Sequence, residues 1–267
     1  MQAGTGEWVT IPTSHGEIRG YMVRPSGPPP WPALLIVHAV MGLDPYIQKL
    51  TAEFAADGYL ALTPDIYTND AGYKQHEPLH IEMAAHLGTD REKQKEGIEH
   101  CPAEIRSQIS AARDWINDRP TTRYIDLIAA TFNYLRGRED VRAIGTMGFC
   151  MGGRLVGELA VTGADLAAGI IYYGGPPKLE EVPNIRCPLE GHYASRDPGI
   201  TRRIPALDEA MKAAGKDFTY YIYEAQHGFS LSPHTPSHDA AATKLSMGRV
   251  KAFLEKHLKP AKFRDAK

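Results

Sequence analysis

The sequence predicts an α/β fold, a mostly parallel central sheet with helices on both faces, and two observations carry that expectation. Apolar, β-branched runs such as ALLIVH (33–38) and YLALTPD (59–65) have the continuous character of strands covered on both sides. Segments of helical spacing then alternate with further apolar runs, the succession that parallel sheets with crossover helices require.

The elements follow in order. WVTIP (8–12) and GEIRGYMVRP (16–25) read as two short strands joined near Ser14–Gly16. The connection SGPPPWP (26–32) suits neither a helix nor an interior strand, because proline lacks the amide that both need. After ALLIVH, Asp44-Pro45 resembles an N-cap with proline at the first helical position, predicting a helix to about Asp57 that Gly58 stops. YLALTPD is the next buried strand. Residues 68–102 break the rhythm: they are polar, rich in His, Lys and Glu, and weakly periodic. They read as a helical and loop excursion from the sheet and as a candidate substrate-selecting wall.

Helical spacing returns in AEIRSQISAARDWIND (103–118), where Ile105, Ile109, Ala112 and Ile116 share a face, and in TTRYIDLIAATFNYLRG (121–137), ended by Gly137. A strand over 142–148 leads through a cysteine turn into the helix RLVGELAV (154–161). AAGIIYYGG (167–175), CPLEGHY (187–193) and FTYYIYE (218–224) are further strands, the last two separated by a helix near 201–214. The tail from about Ser237 to Lys259 carries Leu245, Val250 and Phe253 at helical spacing and is expected to dock on the sheet. No repeat or linker divides the chain, so residues 1–267 are read as a single α/β domain.

Composition narrows the function. A net charge of −2 leaves no basic footprint for nucleic acid and no polybasic segment for an anionic membrane. The opening MQAGTGEWVTIPT has neither the positive nor the apolar region of a signal peptide, and no apolar stretch approaches the ~18 residues of a membrane span. Cys101, Cys150 and Cys187 form neither a CxxC pair nor a disulfide framework, which suits a reducing cytoplasm. His76, His80, His86 and the pair His100-Cys101 suggest a metal site only superficially, since Pro78 interrupts the one helical spacing among them. Neither a metal nor a cofactor is expected.

The stretch GFCMGG (148–153) carries the chemistry. A nucleophile on a sharp strand-to-helix turn is thrust out above the sheet, and the residues two before and two after it crowd neighbouring backbone, so they must be small. Gly148, Gly152 and Gly153 meet that demand around Cys150. The following amide, Met151, can stabilise an oxyanion, and the helix that opens there favours a thiolate. A buried structural cysteine beside two packing glycines is the alternative. No G-x-S-x-G offers a competing serine.

A thiol nucleophile needs a base, and the base an orienting acid. His227 follows the last strand and Asp197 follows the strand before it, so all three candidates sit at C-terminal strand ends, where open parallel sheets place their sites. Their order along the chain, nucleophile, acid, histidine, is that of the α/β hydrolases.

Taken with ALLIVHAVMGLDPYI, GYLALTPDIY, IDLIAATFNYLRG, GTMGFCMGG, IIYYGG and HGF, this order resembles the dienelactone hydrolase family of the α/β-hydrolase fold over most of the chain. The resemblance implies hydrolysis of esters or lactones through a cysteine thioester, without a cofactor. It places the nucleophile at Cys150, the acid at Asp197 and the base at His227, with oxyanion amides at Met151 and Val40.

The chain departs from the family in two places. Dienelactone-cleaving members resemble H-E-x-x-G where this chain has His38-Ala39-Val40-Met41-Gly42, so Ala39 stands for a proton-accepting glutamate and His227 must activate the thiol directly. Leu231 stands where a substrate-binding arginine is expected, and Arg106 falls near the position of a second. His38, Ala39, Arg106 and Tyr173 are the candidate pocket residues, His38 being alternatively a packed strand-end side chain. Without two guanidinium forks the expected substrate is a less acidic small-molecule ester or lactone, not dienelactone itself. A redox-responsive thiol protein and a catalytically weak binding homologue remain as rivals. The chain is expected to act as a monomer or small homo-oligomer.

Overall fold

The computed structural model of the chain describes residues 5–88 and 91–259. Its centre is one eight-stranded sheet: β1 (Glu7–Ile11), β2 (Ile18–Val23), β3 (Trp31–Val37), β4 (Leu60–Pro64), β5 (Val141–Phe149), β6 (Ala168–Tyr172), β7 (Leu189–Ala194) and β8 (Phe218–Tyr223). The spatial order is β1-β2-β4-β3-β5-β6-β7-β8. β1 and β2 pair antiparallel, as do β2 and β4, and every other neighbouring pair is parallel. This is the α/β-hydrolase arrangement that the alternation of elements predicts.

Strand alternation sorts the core into two faces. Ala33, Leu35 and Val37 of β3 turn toward α5 (Thr121–Arg136), α6 (Met151–Val161) and α8 (Ile204–Ala213), whose Leu127, Leu155 and Leu207 are among the residues that complete that core. Leu34 and Ile36 turn the other way, toward α1 (Pro45–Ala56) and α9 (Ala240–Leu258), which contribute Leu50, Phe54, Val250 and Leu254. The start of α1 is set by the Asp44 carboxylate, which accepts from the Ile47 amide at 2.8 Å. Gly58, at φ +95°, ends that turn.

Two expectations need correction. β3 begins at Trp31 and includes Pro32, although the strand lies inside the sheet. A register shift between Trp31 and Pro32 absorbs the missing amide, and pairing with β4 starts only at Ala33. In α9, Leu245 is exposed, and the face against the sheet is made by Val250, Leu254 and Leu258.

The excursion over 68–102 folds into a short 3-10 turn (Tyr73–Gln75) and two helices, α2 (Pro78–His86) and α3 (Arg91–Glu99). Pro78 opens α2 as its first residue, so His76 lies outside the helix and His80 inside it. Together with α4 (Arg106–Asp118) they form a third, smaller core of Ile81, Ala84, Ile109, Ala112 and Ile116 over Val40. A four-residue helix, α7 (Pro198–Thr201), follows Asp197. Among the described residues no helix is long and apolar enough to cross a membrane.

Candidate active site

The strand order reverses between β3 and β5, with β4 on one side and β5 on the other. The crevice outside such a switch point is where open α/β sheets bind ligands. The C-terminal ends of β3 and β5 present residues 38–42 and Cys150 there.

Cys150 sits between β5 and α6 at φ 55° and ψ −113°, a left-handed conformation that costs a non-glycine residue about 1–3 kcal/mol. The glycines around it explain how so tight a turn fits. A Cβ on Gly148 would lie 2.2 Å from the Gly152 carbonyl oxygen, and one on Gly152 would lie 2.3 Å from that of Val37. Both contacts are with backbone, which cannot rotate away. The Cys150 amide donates to the Tyr172 carbonyl at 2.9 Å, anchoring the turn to β6.

His227 lies in the loop after β8, and its Nδ1 is 2.6 Å from Asp197 Oδ2 in the loop after β7. That contact leaves Nε2 for the sulfur, and ring and thiol lie near enough to shift each other's pKa. Burial opposes charge on both partners. It acts against the Cys150 thiolate, yet the His227 charge and hydrogen bond, the Arg119 charge and the Met151 amide outweigh it and hold the thiol below its ordinary pKa. Burial likewise disfavours the imidazolium, but the Cys150 charge, the Asp197 hydrogen bond, the bond to Cys150 and the Asp197 charge raise His227 to about 10. The arrangement therefore favours a thiolate–imidazolium pair over the neutral thiol and imidazole.

The Met151 amide faces the sulfur. Val40 is buried in the turn after β3, and among the described residues its amide takes no partner from the fold. The structure thus brings together Cys150, Met151, His227 and Asp197 and sets Val40 at the switch point.

The candidate pocket residues fare differently. Arg106 is exposed at the start of α4, and its guanidinium donates to the Cys101 carbonyl at 3.1 Å. His38 is fully buried, with Nδ1 2.7 Å from the Ala39 carbonyl oxygen and its ring 5.1 Å from that of Tyr67, the packed alternative. Burial lowers its pKa. Ala39 is buried, and its carbonyl also accepts from Gly42. Tyr173 is fully buried behind His227, with ring centroids 5.0 Å apart.

An arginine whose charge reaches the sulfur is Arg119, in the link between α4 and α5. It makes no ion pair and no side-chain hydrogen bond among the described residues. Its charge also helps push the buried Arg113 down to about 10, burial being the larger cause, while Cys150 pulls Arg113 the other way. Nothing in the local pattern Asp118-Arg119-Pro120 marks it, because the sulfur its charge reaches lies in another element. The two prominent surface cavities, about 490 and 530 Å³, lie between β8 and α9 and on the outer side of α9, and neither is lined by Cys150, His227 or Asp197. Among the described residues no three His, Cys, Asp or Glu side chains gather as a metal site, and His76 packs instead against Trp115, ring centroids 5.9 Å apart.

Comparison with known proteins follows the same line. A model of the dienelactone hydrolase family matches residues 18–258. The chain is 28% identical over 253 residues to a Saccharolobus solfataricus protein that carries the provisional name carboxymethylenebutenolidase, covering 90% of this chain and 94% of that one. It is 23% identical to the carboxymethylenebutenolidase of Pseudomonas sp. strain P51, covering 86% of each. Among solved structures, the dienelactone hydrolase of Anabaena variabilis aligns with a TM-score of 0.64 at 14% identity, over 97% of this chain and 100% of that one. A dienelactone hydrolase-like promiscuous phosphotriesterase from metagenomic libraries aligns at 0.70 and 19%, over 96% and 99%. These last two are likenesses of fold.

Proposed function

The chain belongs to the dienelactone hydrolase family, and on that premise we propose that it hydrolyses a carboxylic ester or lactone through a thioester on Cys150. The observation that carries the proposal is the His227 ring, held by Asp197 through Nδ1 and acting on Cys150, whose thiol it draws below its ordinary pKa.

In this reading the thiolate attacks the carbonyl carbon, and the Met151 and Val40 amides receive the charge that develops on oxygen. The His227 imidazolium gives its proton to the departing alkoxide. Asp197 accepts the Nδ1 hydrogen, orients the ring and stabilises its charged form. Neutral His227 then takes a proton from water as it attacks the thioester, releasing the acid and restoring the thiolate. Ala39 takes no part: thiolate formation needs no second carboxylate when His227 already holds the proton.

Arg119 adjusts the substrate reading. The charge of one unpaired guanidinium reaches the sulfur, while Leu231, where the family resemblance implies a second, is buried. This supports recognition of a carboxylate at one point, short of a two-arginine clamp. Rates for p-nitrophenyl succinate and neutral p-nitrophenyl valerate test both levels. Cys150→Ala should abolish turnover of both. Arg119→Gln should cut kcat/KM for the succinate by at least about 10-fold more than for the valerate, whose smaller loss reports only the charge that Arg119 lends the thiolate. Turnover retained by Cys150→Ala would refute the nucleophile, and equal losses on both esters would refute the anion contact.

A further inference from the structure

Only two non-glycine residues among those described have a left-handed backbone, Cys150 and Tyr173, at φ 55° and 38°. The first is explained by the nucleophile turn. The second calls for its own cause, because such a conformation persists only where the surroundings fix it.

Tyr173 directly follows β6. Its amide donates to the His192 carbonyl at 2.7 Å, tying it to β7. The next residue leaves no room to relax: a Cβ on Gly174 would lie 2.4 Å from the Arg154 amide nitrogen at the start of α6. Held this way, the side chain turns inward and is wholly buried. Its ring lies 5.0 Å from the His227 ring at an interplanar angle of 56°. Its hydroxyl is 2.9 Å from Ser230 Oγ, three residues beyond His227 on the same loop. The Ser230 carbonyl in turn accepts from the Tyr46 hydroxyl of α1 at 3.0 Å.

The geometry of an imidazole shows what such contacts can do. Bonds at Nδ1 and Nε2 define a line through the ring, and neither resists rocking about that line. A side chain against the ring's face does resist it, and a tether further along the loop keeps that side chain and the histidine in step. We propose that Tyr173 is a positioning residue that, through its ring and its bond to Ser230, holds His227 between Cys150 and Asp197. The proposal rests on the Cys150–His227 reading above. It assigns Tyr173 no contact with substrate.

Peptide-resolved alkylation of Cys150 by iodoacetamide across pH reads the thiolate directly, without substrate, and separates it from Cys101 and Cys187. Tyr173→Phe removes one oxygen and keeps the ring. Its alkylation midpoint should rise by roughly 0.5–1 pH unit, and its kcat on p-nitrophenyl succinate should fall roughly 5- to 10-fold with KM within about 2-fold of wild type. Ser230→Ala should act alike, and the double variant should be little worse than either single one, because both remove the same bond. If Ser230→Ala does not fold, Tyr173→Phe decides alone. A variant midpoint that overlays that of wild type, even with a lowered melting temperature, would reduce Tyr173 to a structural role and overturn the proposal. A wild-type midpoint in the ordinary thiol range would instead overturn the Cys150–His227 reading beneath it.

Discussion

At the scale of single residues, the site is a contest between burial and charge. Burial alone would push the Cys150 thiol up; His227, Arg119 and the Met151 amide reverse the sign. A thiol held below its ordinary value stays ionised as pH falls through the usual thiol range, and is neutralised only when pH passes its own lower pKa. Removing His227 takes away the larger opposing charge and leaves burial in place. His227→Ala should therefore move the alkylation midpoint of Cys150 upward and slow its alkylation at pH 6.5 by roughly 100-fold; an unchanged midpoint would show that His227 does not set the thiol. Cys150, Asp197 and His227 were legible in the sequence because turn glycines and strand ends announce them. Arg119 was not, since its meaning depends on a sulfur in a different element. Tyr173 was legible only as a residue near the site, because its burial behind the histidine follows from a backbone turn that no local pattern records.

Elements show where close approach overrides propensity. Gly152 opens α6 against the ends of β3, so a methyl there meets the Val37 and His38 carbonyl oxygens. Gly248, inside α9, faces open space, with nothing within 4 Å of where an added methyl would sit. Opposite outcomes follow from the same substitution. Gly248→Ala should stabilise the protein by about 0.5–1 kcal/mol through helix propensity. Gly152→Ala should cost at least about 2 kcal/mol and raise the Cys150 alkylation midpoint. Denaturant titrations of the two variants check both, and a neutral Gly152→Ala would contradict the packing account of the nucleophile turn. Strands with continuous apolar runs were readable because burial on both faces leaves that trace. The excursion was readable only as a departure from the sheet. α2 buries just Ile81 and Ala84, and α3 just Gln94, against α4 and one another, so no single segment carries a full apolar stripe. Pro32 was misjudged because a register shift, invisible in one dimension, lets an interior strand accept it.

For the whole molecule, topology does the assembling. The reversal of strand order beside β3 opens one crevice, and four separate loops, after β3, β5, β7 and β8, deliver Val40, Cys150, Asp197 and His227 toward it. The fold class was legible because the alternation of elements extends along nearly the entire chain; the placement of the small α2–α4 core over Val40 was not, because it depends on the weakly patterned α2 and α3 packing against the apolar face of α4. The central claim is chemical, that Cys150 carries the acyl group between the two halves of the reaction. Acid-quenching the enzyme within its first turnover of p-nitrophenyl succinate and mapping the adduct by peptide mass spectrometry tests it most directly. The account predicts one succinyl group on the peptide containing Cys150, absent from Cys150→Ala and longer-lived in His227→Ala if that variant acylates at all; an acyl group on any other residue, or rapid turnover with no adduct and an unmodified Cys150, would contradict it.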